Sequence, residues 1–236
     1  MTSFALLLAG DISAGTALCE AVAGRRVIAA DGGLRHAAPL GVTPDLIVGD
    51  FDSVDPTTLD AYPLVPRHDL PRDKGETDGE TALRMAAEWG ARDLLIVGAL
   101  GGARTDHAFS NLNLAVAVAD RFDRLWLFDG REHVFPLVPG RTLSYAARPG
   151  TQFSVCKFSA LSGLSIRGAK WPLDNIELPF GSLLTQSNEA LGPVEIEIAA
   201  GRAFALVHDG VWFHLSTPED LEQAEHRLQR GLVRFF

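Results

Sequence analysis

Basic side chains are scarce in this chain: 21 Lys and Arg face 30 Asp and Glu, and the formal net charge is -9 with histidine neutral. A nucleic-acid backbone is gripped by clustered Lys and Arg, so this balance argues against nucleic acid as a partner. Cysteine is nearly absent as well. Cys19 and Cys156 stand far apart, without zinc-type spacing and each inside an apolar stretch, which predicts two small packed hydrophobes and fits a reducing compartment. The N-terminal apolar run Phe4–Ala9 has no basic flank and is too short to span a bilayer, so it reads as a first strand; a cytoplasmic protein with no membrane partner is expected. The common phosphate-binding fingerprints, a Walker A loop and G-x-G-x-x-G, are missing too.

What remains is ordinary globular composition, 47% hydrophobic and 22% charged over 236 residues, enough for two modest domains with real cores. Up to about residue 130, short apolar runs alternate with longer Ala-rich segments. The runs are Phe4–Ala9, Val27–Ala30, Leu46–Val48, Leu94–Val97 and Leu125–Phe128, and helical stretches near 14–23, 78–89 and 106–119 separate several of them. This predicts βα units on a mostly parallel sheet, with ligands outside the carboxyl ends of the strands. From about 131 the pattern changes to short strands with frequent Gly and Pro: His133–Leu137, Gln152–Phe158, Leu161–Arg167, Val194–Ala199, Ala203–His208 and Val211–Leu215. The expected architecture is an α/β, Rossmann-like domain over 1–130, followed over 131–236 by a small antiparallel β-sandwich and a C-terminal helix from about Thr217 to Arg230, capped by Thr217 with Pro218 next.

Three acidic clusters carry the chemistry: Gly49-Asp50-Phe51-Asp52-Ser53, Asp73-Lys74-Gly75-Glu76-Thr77-Asp78-Gly79-Glu80, and Gly101-Gly102-Ala103-Arg104-Thr105-Asp106-His107. Asp50 and Asp52 are one residue apart, so an extended segment would turn both carboxylates to one side, and two like charges held together call for a cation. The structural alternative makes Asp50 a turn cap and lets Asp52 and Asp55 start a helix at Pro56. Thr77-Asp78-Gly79-Glu80 is a capping-box pattern, which gives Glu80 a backbone partner and leaves Asp73 and Asp78 for a metal or phosphate. Gly101 and Gly102 let the backbone approach a phosphate ahead of a helix N-terminus, and Arg104 adds a planar fork; Asp106 could equally be a plain N-cap. A small anionic ligand is compatible with the net charge because Arg72, Lys74 and Arg104 lie within these clusters.

The ordered set Asp31-Gly32-Gly33, Gly49-Asp50-Phe51-Asp52-Ser53, Asp73 with Thr77-Asp78-x-Glu80-x-Ala82-Leu83, Gly98-Ala99-x-Gly101-Gly102 with Arg104, Asp106-His107 and Asn111, and Ser187-Asn188-Glu189 resembles the thiamine pyrophosphokinase family over most of residues 25–210. That resemblance implies a homodimer with a thiamine site at its interface, ATP and thiamine as substrates, and Mg2+ as the ion. It implies that the thiamine hydroxyl attacks the β-phosphorus of ATP and that AMP leaves. Carried over by position, Asp50, Asp52, Asp73 and Asp78 hold the metal and polyphosphate, Asp106 helps organise the centre, Asp31, Gly32, Gly33, Gly101, Gly102 and Arg104 bind the nucleotide, and Ser187 and Asn188 belong to the thiamine region. Asp52 and Asp78 are the two candidates for accepting the hydroxyl proton. Gly75 stands where the family has another carboxylate, with Glu76 as a possible substitute, and Ala103 is an extra residue before Arg104. The same carboxylates also suit a Mg-dependent nucleotide phosphohydrolase, and the lost carboxylate at Gly75 suits a non-catalytic nucleotide or thiamine sensor.

Overall fold

The computed structural model describes residues 2–52, 54–71 and 75–208 and the backbone of 213–214. Ser53, Arg72, Asp73, Lys74, most of the expected strand Val211–Leu215 and the expected helix from Thr217 to Arg230 lie outside the described residues. Those residues form two compact units divided after Arg131.

The first unit is built on β1 (Ser3–Leu7), β2 (Arg26–Ala30), β3 (Leu46–Gly49), β4 (Arg67–Asp69), β5 (Asp93–Val97) and β6 (Arg124–Phe128), with α1 (Thr16–Val22), α2 (Pro56–Asp60), α3 (Asp78–Glu88) and α4 (Thr105–Val118) between them. All pairs are parallel, in the order β6-β5-β1-β2-β3-β4. Strand progression runs from β1 towards β4 and then restarts at β5 on the other side of β1, so the order reverses between β1 and β5. The central strands are continuous buried runs, such as Phe4–Leu7 and Leu94–Val97, as strands covered on both faces must be. Helix α3 buries Thr81, Ala82, Leu83 and Ala86, and the small Ala82 and Ala86 let it approach the sheet closely.

The edge strand β4 has no apolar signature: Arg67, His68 and Asp69 are all exposed, and only the register Ile47↔Arg67 to Gly49↔Asp69 creates it. No apolar run could have announced it.

At the amino end of this sheet, Asp93 is buried and ionised. Arg124 donates to it through Nε at 2.9 Å, and Arg25 lies 3.0 Å away through Nη2. Burial alone would raise the Asp93 carboxyl pKa, but the Arg124 and Arg25 hydrogen bonds outweigh it and hold the group below its ordinary range. Both guanidiniums also lie over the Trp126 ring, at 5.8 and 5.9 Å, and Arg25 Nε donates to the Ala21 carbonyl.

The second unit is antiparallel throughout: β7 (Glu132–Leu137), β8 (Leu143–Ala146), β9 (Gln152–Lys157), β10 (Leu161–Ala169), β11 (Leu173–Leu178), β12 (Asn188–Glu197), β13 (Ala203–His208) and β14 (Phe213–His214). One row runs β7-β13-β9-β12 and the other β11-β10-β12-β8-β14, so β12 belongs to both. Asn188 and Glu189 at its start pair with β9, and Val194–Ile196 pair with β8. The expected strand Val194–Ala199 is instead part of a strand running from Asn188 to Glu197, whose first residues pair with β9 and whose register against β10 shifts between Ala190 and Glu195, across Gly192 and Pro193, where strict alternation is lost. Phe135, Tyr145 and Phe153 fill the interior, with ring centroids 6.2 and 6.1 Å apart.

Candidate active site at the carboxyl end of the parallel sheet

Three aspartates meet where β2 and β3 end. Asp31 follows β2 with φ 44°, and Asp50 and Asp52 follow β3 around Phe51, whose φ is 59°. One carboxylate oxygen from each lies within 4.8 Å of the other two; Asp31 and Asp50 are half-buried and Asp52 is exposed. The segment at Asp50 is not extended, as the one-residue spacing suggested. A left-handed turn at Phe51 folds it, and Asp50 Oδ1 accepts the Asp52 N–H at 3.2 Å. Gly49 makes the convergence sterically possible: a Cβ there would lie 3.1 Å from the Asp31 Cβ. Asp50 thus caps this turn and Asp55 caps α2, accepting the Thr57 N–H at 2.8 Å, as the structural alternative has it for these two residues.

Asp31 also opens a 3-10 turn, Asp31–His36, packed onto the end of β1. Gly33 has a packing reason to be glycine, since a Cβ there would fall 2.1 Å from the Leu7 carbonyl oxygen. Gly32 is buried beside it.

Asp78 stands outside the three-aspartate cluster, at the first residue of α3. The capping box beneath it is complete: Thr77 Oγ1 accepts the Glu80 N–H at 3.2 Å and Glu80 Oε2 accepts the Thr77 N–H at 2.8 Å. Glu76 faces along the same helix, accepting from Thr81 Oγ1 at 3.2 Å with Arg84 3.7 Å away.

After β5, Gly101 and Gly102 are exposed and Asn111 Nδ2 ties α4 back to the Ala99 carbonyl at 3.2 Å. Arg104, the residue that caps α4, grips Asp106 with both arms of its fork, Nε to Oδ1 at 2.9 Å and Nη2 to Oδ2 at 2.7 Å. That guanidinium holds the Asp106 carboxyl down to about 2. Asp106 is neither the N-cap of α4 nor a member of the aspartate cluster.

The residues missed by sequence reasoning are Gly10, Asp11, Arg35 and His36. His36 is buried and donates from Nε2 to the Gly10 carbonyl at 2.8 Å; Arg35 Nη2 donates to the Ala9 carbonyl at 2.6 Å. A signal existed. Gly10-Asp11 follows the first apolar run just as Asp31 and Asp50 follow the second and third.

In the second unit, the buried Asn188 side chain clamps a turn. Its Oδ1 accepts the Trp171 N–H at 3.2 Å and its Nδ2 donates to the Trp171 carbonyl at 2.9 Å, while the indole itself is exposed with Lys170 Nζ 5.0 Å from its centroid. Ser187 precedes it in a left-handed conformation, φ 58°, with its N–H given to Ser154 Oγ at 3.0 Å. Phe204 is buried against Phe158, 5.7 Å between centroids.

A parallel α/β unit with carboxylates gathered at its strand ends, joined in one chain to an antiparallel β unit, defines a mixed, sheet-dominated two-unit protein. Residues 22–127 match the family described as "Thiamin pyrophosphokinase, catalytic domain" and residues 142–202 match "Thiamin pyrophosphokinase, vitamin B1 binding domain". The chain belongs to the thiamine pyrophosphokinase family. It is 29% identical over 169 residues to the thiamine pyrophosphokinase of Bacillus subtilis (strain 168), covering 70% of this chain and 78% of that one. The crystal structure of thiamine pyrophosphokinase from Bacillus subtilis shares the fold with a TM-score of 0.76 at 23% identity, over 87% of this chain and 98% of the other. Thiamin pyrophosphokinase from Candida albicans does so with a TM-score of 0.70 at 16% identity, over 88% and 89%.

Proposed function

We propose that this chain binds ATP and magnesium at the carboxyl end of the parallel sheet and transfers the pyrophosphoryl group to thiamine. As a family member it is a thiamine diphosphokinase, an enzyme that makes thiamine diphosphate from thiamine. The observation that carries the site assignment is the convergence of Asp31, Asp50 and Asp52 within 4.8 Å. The donor set fits a hard ion: all three offer oxygens, and small side-chain rotations would close that spacing onto magnesium, whose bonds are about 2.1 Å. When bound, the ion would neutralise charge on the polyphosphate. Asp31, Asp50 and Asp52 would hold it, joined by Asp78 from the first turn of α3 and, as the family resemblance implies, by Asp73.

The remaining steps belong to the chain's own groups. Gly101 and Gly102 leave an exposed backbone for the polyphosphate, and Arg104 would turn from Asp106 to the phosphates, where its planar fork matches their geometry. The thiamine hydroxyl oxygen forms a bond to the β-phosphorus, the bond from that phosphorus to the α,β-bridging oxygen breaks, AMP departs with that oxygen, and Asp52 or Asp78 takes the hydroxyl proton. Such transfer relies mainly on positioning and charge neutralisation. The first unit acts as a Rossmann-like nucleotide domain over 1–130, and the second, over 131–236, as a β-sandwich thiamine domain.

Asn188 supports thiamine binding by clamping the backbone of Trp171, whose exposed indole can stack on an aromatic ring, and Ser187 belongs to the same region as the residue before it. Exposed Phe180, Leu183, Leu184 and Leu191 support a homodimer with the thiamine site at its interface, since large apolar side chains in one unit favour cover by a second copy. A cytoplasmic location is consistent with the lack, among the described residues, of a helix long and apolar enough to cross a membrane.

The test is product analysis of the purified protein with ATP and magnesium, with and without thiamine. AMP and thiamine diphosphate appearing only with thiamine is the expected result. Nucleotide breakdown without thiamine would instead favour a phosphohydrolase, and binding without turnover a sensor.

A further inference from the structure

The loop after β1, Ala9–Asp11, has no place in the reading above, yet it lies where the strand order reverses between β1 and β5. It is tied to β5 by backbone bonds, Leu8 N–H to the Val97 carbonyl and Gly10 N–H to the Gly98 carbonyl, both 2.8 Å. Gly10 fits so tightly that a Cβ would sit 2.4 Å from the Gly98 carbonyl oxygen and 2.9 Å from that of Gly101. The loop therefore packs directly against the Gly98–Gly101 segment at the carboxyl ends of β1 and β5, the reversal point above which an open α/β sheet forms its ligand crevice.

Two side chains of the 3-10 turn act on this loop through its carbonyls. His36 Nε2 donates to the Gly10 carbonyl at 2.8 Å, and Arg35 Nη2 donates to the Ala9 carbonyl at 2.6 Å and reaches that of Gly10 at 3.4 Å. The Gly10–Asp11 peptide is trans, so its N–H points opposite to its carbonyl. Pulling the Gly10 oxygen towards His36 turns the Asp11 N–H away from His36, at a nitrogen that lies beside the exposed Gly102, 3.5 Å from where a Cβ there would be. That N–H meets no acceptor among the described residues. Burial, the largest influence on His36, lowers its pKa, which keeps the ring neutral with Nε2 as the donor and avoids a buried charge.

We propose that His36, assisted by Arg35, is a positioning residue for the nucleotide: it holds the Gly10–Asp11 peptide so that the Asp11 N–H donates to a phosphate oxygen of ATP in the crevice between β1 and β5. His36 touches no substrate in this arrangement. It acts through one peptide plane, and this rests on the function proposed above.

The test uses the full-length enzyme with three variants and four readouts: KM for ATP, KM for thiamine, dissociation of a non-hydrolysable ATP analogue by calorimetry, and the Asp11 amide signal in 15N-labelled protein. His36→Leu should raise the ATP KM and the analogue Kd about tenfold, the size of one lost hydrogen bond to a charged acceptor, with the thiamine KM unchanged. His36→Gln keeps a donor within reach of Gly10 and should bring both back to within about twofold of wild type. Arg35→Met, at an exposed site, should give a smaller rise of roughly threefold, so the proposal remains testable should His36→Leu not fold. In wild type the Asp11 amide should shift on adding the analogue. Equal changes in both KM values, no change in any variant, loss of analogue binding in step with lost thermal stability in His36→Gln, or an unmoved Asp11 amide would each overturn it. Wild-type protein that makes no thiamine diphosphate would instead refute the underlying function.

Discussion

The two ends of the first unit's sheet both gather charge, in opposite ways. At the amino end a single buried aspartate, Asp93, lies between two guanidiniums that also lean on Trp126. At the carboxyl end three aspartates are brought within 4.8 Å of one another. The first arrangement compensates a buried charge and rigidifies the fold; the second concentrates one sign, which disfavours the empty protein and suits a cation. Charge that is matched within the chain serves stability. Charge of one sign, held together by the fold, serves a ligand.

The largest expected difference comes from Asp52→Asn. It should lower kcat by roughly 10²–10³-fold, as loss of a group that neutralises transition-state charge does, while leaving the unfolding temperature of the metal-free protein equal or higher because a repulsion is relieved. Magnesium should raise the melting temperature of wild type and not of this variant. Undiminished turnover would erase the distinction between the two ends.

Asp93→Asn should do the converse, costing about 3 kcal/mol in denaturant unfolding because two guanidiniums lose their partner, with turnover per folded molecule retained. The pH dependence has a definite sign. Folding holds the Asp93 carboxyl below its ordinary value of 3.8, so its contribution is full above that pH and fades as pH falls further; the wild-type and variant stability curves should converge in acid. A constant gap down to the lowest accessible pH would show that the ion pair is not the cause.

A smaller effect is expected at Arg104, where matched charge occurs at the functional end. Arg104→Lys keeps the charge and loses the fork, and should cost about tenfold in kcat/KM for ATP with stability almost unchanged, since the pair with Asp106 is exposed. A stability loss without a kinetic one would move Arg104 into the structural class. Thr77→Ala sets the lower bound. Removing this cap should cost about 1 kcal/mol of stability, read by thermal unfolding, and far less turnover than Asp52→Asn.

Much of this organisation was legible in the residues. The buried strands β1, β2, β3, β5 and β6 announce themselves as apolar runs because strands covered on both faces contain little else. Thr77 and Glu80 announce a helix start because two backbone donors need partners there, and both bonds form. Strand β4 was illegible since Arg67, His68 and Asp69 make a strand only by pairing with β3. Strand β8 was missed because it has only four residues, and β11 because polar residues interrupt its apolar ones. Asp31 was legible as a strand-end residue next to two glycines, but not as the neighbour of Asp50 and Asp52. That adjacency depends on β2 lying beside β3 and on a bare Cα at Gly49.

The amino-acid order by itself determined the buried strands of the first unit and the capped start of α3, where acidic loops leave the strands, and that the chain carries the motifs of its family. Hydrophobic period, capping chemistry and local charge are properties of neighbours in sequence. Only the tertiary structure decided which carboxylates meet, that Asp106 is bound to Arg104, that Asn188 clamps the backbone of Trp171, and that His36 reaches the carbonyl of Gly10. Those contacts follow from strand order and from turns only a few ångströms across, where the position of a single peptide plane or the absence of one Cβ selects the partner.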